Sequence, residues 1–463
     1  MQKYKFHKKI ILGSIMAFLM FSGFSCKLQT AAVQEATKPN SLEFWGVYNN
    51  SGDFAEIISA YRSLHPNISI NYRKFRYEEH KDKILEALAE DRGPDIISIH
   101  NTWVNEYRSK IEPMPASVKI PFQEVQGSLK KEVITTIKTV PSISLLQLKN
   151  DFVEAVYNDC VRNEDGKLKV LCLPFNIDNL ALFYNKDILN SAGIPLPPAT
   201  WEEFQEDVKR ITKYGDDGEI IQSGAALGTA ANISRSVDIL SLLMLQQGTK
   251  MSDGNRVAFN APVGNSRFLP GLQALQFYKA FADQTKEVYT WNNKMPDSLG
   301  AFIQGKTAFF FGYSYNAPTI KSRAPKLNFS ITRAPQIAGE TGENSINIAN
   351  YWVQAVSEKS KNKEIAWNFI QFAATDPKLM SSYLAKIKSP TALRVLIDDQ
   401  LNDMEINPFA SQVLTAKSWY QGINSGAMEE IFSQMIDSIA EGADERIYQQ
   451  ALNTAAGKVQ QTY

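Results

Sequence analysis

The alternation of short apolar strands and amphipathic helices after residue 40 is the strongest constraint on the fold of this 463-residue chain. The segment SLEFWGVY (41–48) predicts a strand, and the apolar spacing over 53–65 predicts a helix. A second strand, ISINYRKF (68–75), leads to a second amphipathic helix (78–93) and then to the strand DIISIH (95–100). The order strand, helix, strand, helix, strand predicts a parallel α/β unit with right-handed crossovers.

The same alternation starts again in the stretch NLALFYNKDILNSAGIPLPPATWEEF (179–204). Residues 180–184 predict a strand, and a short helix follows over 188–192. Thr200 and Glu203 have the spacing of a capping box, which predicts that a further helix begins there. Because the chain is long for one domain and 44% apolar, we expect two α/β halves, each with its own core.

The first 25 residues have the composition of a signal peptide. The lysine-rich start MQKYKFHKK is followed by the apolar run IILGSIMAFLMFSGF, and then by Ser25 and Cys26. This order resembles a lipoprotein signal with Cys26 as the lipidated residue, although Gly23 stands where such signals usually carry Leu. An ordinary cleaved signal and an uncleaved anchor are the alternatives. Residues 26–40 predict a flexible linker, and the sequence predicts no later membrane span.

The remaining two cysteines flank a predicted hairpin. Cys160 and Cys172 are equidistant from Gly166, and the dipeptide Asp165-Gly166 is a strong hairpin signal. A symmetric hairpin would place the two thiols opposite each other, so a disulfide is possible in an exported protein. Two buried thiols are the alternative.

Charge and motifs exclude several classes of function. Lys+Arg and Asp+Glu both total 49, so the charge balance does not suggest a nucleic-acid partner. The four histidines are scattered, and the sequence has neither a nucleophile elbow nor a phosphate-binding glycine loop. We therefore expect neither a metal nor a cofactor, and we expect the protein not to be an enzyme. A carboxylate pair for glycoside hydrolysis stays open.

Aromatic and amide residues at predicted strand ends are the best candidates for a binding site. Ligands of parallel α/β sheets bind outside the carboxyl ends of the strands, which places Trp45, Asn49, Asn101 and Trp103 near a cleft. Flat aromatic faces suit the C–H faces of sugars, and amide groups suit sugar hydroxyls. Later candidates of the same kind are Asn176, Asp178, Tyr313, Tyr315 and Trp352, although turn chemistry is an alternative role for the first two.

Several segments together resemble the family of extracytoplasmic solute-binding proteins that includes the maltodextrin-binding proteins. The 179–204 stretch carries the most specific resemblance, and GPDIISI, FIQGKTAFFFGYSY, YWVQAVSEKSKNKEIAWNFIQFAATD and ALNTAAGKVQQ agree with the family in order. The resemblance implies two α/β lobes joined by a hinge that the chain crosses several times, with the ligand bound between them. It also implies docking on an ATP-driven import permease.

The resemblance implies a division of the mature chain between the lobes. Residues 41–175 and 346–390 would form the N-lobe, and residues 176–345 and 391–463 the C-lobe. Asp178 matches a family acid that holds sugar hydroxyls, and Tyr315 matches a sugar-stacking Trp. Residues 100–103 match a charged ligand-binding loop but lack its acid and Arg, so maltodextrin itself is in doubt as the ligand.

We therefore expect a monomeric, lipid-anchored binding protein outside the cytoplasm, either periplasmic or on the outer face of the cytoplasmic membrane. It would capture a carbohydrate, with an oligosaccharide favoured, for an ABC import permease. A binding protein for a non-sugar solute such as a sugar phosphate is one alternative, with Arg235 and Arg323 as candidate anion ligands. A polysaccharide-active enzyme and a surface receptor that signals without transport are the others.

Overall fold

The structure is a computed structural model that describes residues 33, 37–126, 132–264, 267–340 and 342–463. The predicted signal peptide (1–25), the lipidation site Cys26 and most of the predicted linker (26–40) lie outside these residues. Within the described part of the chain, no helix is long and apolar enough to cross a membrane.

The chain alternates between strands and helices over almost its whole described length. The strands are β1 (Asn40–Val47), β2 (Ile68–Phe75), β3 (Ile96–His100), β4 (Ile111–Glu112), β5 (Ser117–Gln126), β6 (Glu132–Pro141), β7 (Val161–Glu164), β8 (Lys167–Val170), β9 (Leu173–Pro174), β10 (Ala181–Asn185), β11 (Lys213–Tyr214), β12 (Ile220–Ala225), β13 (Ser252–Asp253), β14 (Arg256–Val257), β15 (Thr307–Gly312), β16 (Phe329–Arg333), β17 (Asn347–Ile348), β18 (Trp352–Ser357) and β19 (Ala416–Lys417). The α-helices are α1 (Ala55–Leu64), α2 (Tyr77–Ala89), α3 (Leu145–Asp151), α4 (Glu154–Cys160), α5 (Lys186–Ser191), α6 (Trp201–Ile211), α7 (Ser236–Gln246), α8 (Pro270–Ala280), α9 (Ser298–Ile303), α10 (Asn316–Arg323), α11 (Lys363–Thr375), α12 (Pro377–Ile387), α13 (Ile397–Leu401), α14 (Asn407–Ala410), α15 (Ser425–Asp437) and α16 (Glu445–Gln460).

The first sheet has the strand order β2-β1-β3-β18-β4, and β9 also pairs with β18. Strands β1, β2 and β3 are parallel, as the sequence predicted, so their carboxyl ends lie at one edge. Strand β18 arrives from far along the chain and runs antiparallel to β3, which places Trp352 opposite His100. The start of β18 therefore lies at the same edge as the ends of β1 and β3.

The second sheet has the order β11-β12-β15-β10-β16. Its central strand β15 has the sequence TAFFFG and is buried along its full length. A continuous apolar run is expected of a strand that is covered on both faces. Each sheet therefore has a core of its own.

The chain passes between the two sheets several times, and the passages lie side by side. One connects β9 with β10, another connects β17 with β18, and they meet in an isolated bridge between Asn179 and Ala349. The backbone N–H of Asn350 donates to the Asp178 carbonyl at 3.0 Å. The predicted architecture of two α/β lobes with a multiply crossed hinge is confirmed. The predicted division at residues 176, 346 and 391 stays a prediction; Leu393 and its neighbours pack with the first lobe's core.

The cysteine hairpin differs from the prediction. Asp165 and Gly166 form a two-residue turn with φ values of 53° and 78°, so the hairpin is centred between them and not on Gly166. The backbone N–H of Leu171 donates to the Cys160 carbonyl at 2.8 Å, which offsets Cys172 by one residue. Both thiols are free and fully buried, so the structure agrees with the alternative prediction of two buried thiols. Burial, reinforced by the neighbouring Cys172, raises the pKa of the Cys160 thiol.

Candidate ligand-binding cleft

A cavity of about 580 Å³ lies between the lobes, at the carboxyl ends of β1 and β3. This volume is typical of a small-molecule pocket. The cavity is lined by Val47, Tyr48, Asn49, Asn50, Asp53, Tyr77, Ser98, His100, Trp103, Asn176, Asp178, Arg235, Ser314, Tyr315, Pro318, Asn350, Tyr351, Trp352, Gln354, Lys386, Ile387, Ser389 and Glu429. The set combines aromatic rings with amide, hydroxyl and carboxylate groups.

Trp352 is the centre of an aromatic wall on the first lobe. Its indole meets the rings of Trp103 at 5.3 Å, His100 at 5.7 Å, Tyr48 at 5.9 Å and Tyr77 at 6.2 Å, each close to edge-on. Trp103 is 7% exposed and Trp352 is half-buried, so Trp352 presents more surface to the cavity. An edge-to-face cluster of this kind fixes the orientation of the central ring.

Six of the nine residues that the sequence predicted as ligand contacts line the cavity: Asn49, Trp103, Asn176, Asp178, Tyr315 and Trp352. Several of them already have partners in the protein. The Asn176 amide donates to Ser389 Oγ at 2.8 Å, and the Tyr315 ring stacks on a neighbouring tyrosine of each lobe. The assignment of these six residues as ligand contacts stays a prediction.

The other three, Trp45, Asn101 and Tyr313, do not line the cavity. Strand β1 continues past Trp45 to Val47, and the indole packs on Phe75 at 4.8 Å, away from the strand end. Asn101 is buried and donates to the Asp159 carboxylate at 3.0 Å. Tyr313 is fully buried behind the cavity wall. The sequence pattern indicated where strands end, but it did not show in which direction each of these three side chains points.

Asp178 lies on the floor of the cavity at the first hinge crossing and is 5% exposed. Its carboxylate accepts hydrogen bonds from the Ser314 N–H at 3.0 Å, the Ser314 hydroxyl at 2.7 Å and the Asn179 N–H at 2.9 Å. Burial nevertheless raises the pKa of Asp178 to about 7, because three hydrogen bonds only partly offset the loss of water.

Arg235 lines the cavity from the second lobe, but its charge is already neutralised. Its guanidinium makes two hydrogen bonds to Asp238, at 2.7 and 2.9 Å, and one to Glu429 at 3.2 Å. Burial alone would lower the pKa of Arg235, but the two carboxylates hold it well above its usual value. Arg323, the other arginine considered as an anion ligand, is exposed at the end of α10 and does not line this cavity.

A chain of hydrogen bonds connects His100 on the first lobe to Asp238 on the second. Asn350 Nδ2 donates to Asp238 at 3.0 Å, so Asn350 Oδ1 faces His100 Nε2, also at 3.0 Å. An amide oxygen can only accept, which places the imidazole proton on Nε2. Burial lowers the pKa of His100, which favours the neutral imidazole that this hydrogen-bond arrangement requires. Asp238 also accepts from the Tyr313 hydroxyl at 2.6 Å.

Sequence reasoning missed Tyr48, Tyr77, Asn350 and Glu429 as cavity residues. Asn350 directly precedes a segment that the resemblance had singled out, and Tyr48 lies between the candidates Trp45 and Asn49, so both positions carried a signal that was not used. Glu429 carried none, because it comes from α15, far along the chain from every motif. Within the described residues, no group of His, Cys, Asp and Glu side chains could hold a metal ion.

Residues 49–378 match the sequence profile of the bacterial extracellular solute-binding proteins. This chain belongs to that family. The family resemblance seen in the sequence is therefore confirmed. The extracytoplasmic location implied by the family agrees with the predicted export signal.

Relatives of this solute-binding protein extend the comparison. It is 21% identical to the galactooligosaccharide-binding protein of Bacillus subtilis, over 98% of both chains. It is 26% identical to the sn-glycerol-3-phosphate-binding periplasmic protein of Yersinia enterocolitica, over 62% of this chain and 66% of that one. The structure of the cyclic alpha-maltosyl-1,6-maltose binding protein from Arthrobacter globiformis superposes with a TM-score of 0.69 at 17% identity, covering 92% of this chain and 99% of that one. At this identity the superposition shows the fold alone.

Proposed function

We propose that this protein captures an uncharged oligosaccharide in the cleft between its lobes and delivers it to an ABC import permease. One observation carries the choice of an uncharged ligand: the cavity has an aromatic wall, and its arginine is bound by two carboxylates. Aromatic faces and hydroxyl, amide and carboxylate groups are the surroundings that a sugar ring requires.

The charges around the cavity argue against a phosphorylated ligand. Lys386 and Arg235 are the cations among the described lining residues. The Lys386 ammonium donates to the Gly52 carbonyl, and Arg235 is neutralised by its two carboxylates. A phosphate is usually held by cations that are free to form charge-assisted hydrogen bonds. To obtain such bonds from Arg235, it would have to displace Asp238 or Glu429.

A thermal-shift screen tests the ligand class. Saturation at about 100 times the dissociation constant stabilises a protein by about 2.7 kcal/mol, which is visible as a higher melting temperature. We expect a shift with galactooligosaccharides, maltotetraose or mannotriose and none with sn-glycerol-3-phosphate. A shift with the phosphate ester alone would overturn the proposal and favour the anion-binding alternative. Release of shorter sugars during incubation would favour an enzyme.

Trp352 and Trp45 provide a matched pair of variants for the sugar that binds best. Trp352→Ala removes the centre of the aromatic wall, so we expect binding to weaken by about 1–3 kcal/mol, the scale of a lost aromatic contact. Trp45→Ala removes a similar ring outside the cavity, and we expect affinity to stay unchanged. Calorimetric titration of both variants, each checked for an intact fold, measures the difference. Equal losses of affinity would refute the placement of the ligand against Trp352.

We further propose that the protein is a monomer without a cofactor, anchored through lipid on Cys26. Cys26→Ser should then move the protein from the membrane fraction to the soluble fraction of cells and leave sugar affinity intact. Loss of the permease should abolish uptake of the same sugar. A normal uptake rate without the permease would favour a receptor that signals without transport.

A further inference from the structure

Four tyrosine rings form a continuous stack from one lobe to the other. Tyr77 and Tyr48 of the first lobe stack at 6.3 Å, with 21° between their planes. Tyr48 stacks on Tyr315 of the second lobe at 6.0 Å and 9°, and Tyr315 stacks on Tyr313 at 5.8 Å and 18°. The contact between Tyr48 and Tyr315 is therefore the point where the stack passes from lobe to lobe.

This contact lies at the rim of the cleft. Tyr48 is 53% exposed and Tyr315 is 48% exposed, whereas Asp178 and His100 on the floor are buried. The hydrogen bonds that join the lobes on the floor, such as that between Asn350 and Asp238, are close to the hinge. The two tyrosines are thus placed to resist opening at the side of the cleft that faces solvent.

The backbone of Tyr48 holds its ring in this position. Its φ is +61°, and the Asn49 N–H donates to the Val47 carbonyl at 2.6 Å, which makes a three-residue turn centred on Tyr48. The Lys74 ammonium fixes the turn by donating to the Tyr48 carbonyl at 2.7 Å. A bulky residue at positive φ is uncommon, and such conformations concentrate at ligand clamps and switch regions.

We propose that Tyr48 and Tyr315 form a tyrosine latch, an interlobe contact that holds the rim of the cleft closed and must part before a ligand can enter. Both tyrosines line the cavity of about 580 Å³, so their contact leaves room for a ligand beside it. The proposal rests on the proposed function only for the identity of that ligand. An aromatic pair of this kind shifts an equilibrium by about 2- to 13-fold, so its loss should lower the ratio of closed to open protein by that factor.

The latch can be tested without any ligand, by small-angle X-ray scattering of the dialysed full chain. The double variant Tyr48→Asp with Tyr315→Asp places two like charges at the contact, so we expect a larger radius of gyration than in the wild type. The radius of gyration of Tyr48→Ala should lie between those of the wild type and the double variant. Tyr48→Phe keeps the ring, so its radius should match that of the wild type.

A second stacked pair on the same protein provides the control. Tyr214 and Tyr289 stack at 6.0 Å and 2°, both within the second lobe, and Tyr214 is 46% exposed. Tyr214→Asp should therefore leave the radius of gyration unchanged. Equal radii for the wild type and the Tyr48/Tyr315 double variant would overturn the latch, as would an equal increase in the Tyr214 variant. Neither result depends on the sugar screen, so the latch and the proposed function can fail separately.

Discussion

Asp178 makes the pH dependence of stability a direct test of the cleft geometry. Burial opposes ionisation and raises the pKa of this carboxyl group from its usual 3.8 to about 7 in the folded protein. Between those two values, the unfolded chain is ionised at this position while the folded chain keeps its proton. A raised pKa therefore contributes stability that is fully present below pH 3.8 and is lost as the pH rises through about 7.

The size of the effect follows from the shift. When only the folded state binds a proton, the free energy of unfolding falls by about 1.4 kcal/mol for each unit by which the pH rises. From about pH 4 to about pH 7 the loss is about 4 kcal/mol, an order-of-magnitude figure. Asp178→Asn removes the titration and can keep the local hydrogen bonds. The amide oxygen, in the place of Oδ1, can accept from the backbone N–H groups of Asn179 and Ser314, and the amide nitrogen can donate to the Ser314 hydroxyl.

Denaturant unfolding of the wild type and of Asp178→Asn, measured in steps from about pH 4 to about pH 8, isolates this group because other titrations cancel in the difference. We expect the stability of the variant to rise relative to that of the wild type across the interval. Asp216→Asn, at an exposed position of the second lobe, should follow the wild type. Parallel profiles for the wild type and Asp178→Asn would refute the conclusion that burial keeps this carboxyl protonated.

Three further predictions follow from the same structure. Thr200→Ala removes the helix cap in which the Thr200 hydroxyl accepts from the Glu203 N–H, and should lower the free energy of unfolding by about 1 kcal/mol in denaturant titrations; an unchanged value would show that the cap does not stabilise the protein. Asp238→Ala leaves Arg235 with one carboxylate fewer and should cost about 2 kcal/mol by the same assay; an unchanged midpoint would contradict the buried ion pair. Cys160 and Cys172 should react with a thiol reagent only after unfolding, and reduction should leave the intact mass unchanged; a gain of two hydrogens would instead reveal a bridge.

The fold was largely predictable from local patterns. The second strand, predicted over 68–75 from its alternation, occupies Ile68–Phe75 in the structure. The capping box predicted at Thr200 is present, because the Glu203 N–H donates to Thr200 Oγ at 3.2 Å and the Glu203 carboxylate accepts in return. Signals of this kind lie within a few residues of each other, so the sequence contains everything that they need.

The hairpin and the strand ends show where local patterns stop being sufficient. A shift of half a residue in the hairpin centre separates an opposed cysteine pair from an offset one. Likewise, the pattern placed Trp45 near the cleft, but its indole packs on Phe75, and Tyr48 and Asn49 at the end of β1 line the cavity. Because successive side chains of a strand point to opposite faces, an error of one residue in a boundary changes which residues reach the site.

The charge of the cleft could be inferred only in part from the sequence, because Asp238 is three residues from Arg235 whereas Glu429 is distant. In the sequence, Arg235 was a candidate anion ligand, since nothing nearby shows that α15 brings Glu429 to its guanidinium. Arg235 and Glu429 are 194 residues apart in the sequence, and their contact argues against Arg235 as an anion ligand. An arginine that two carboxylates already hold would have to exchange one of them to bind a phosphate, which supports the proposal of an uncharged ligand. The choice between a sugar and an anion therefore depends on a tertiary contact that no motif in this chain encodes.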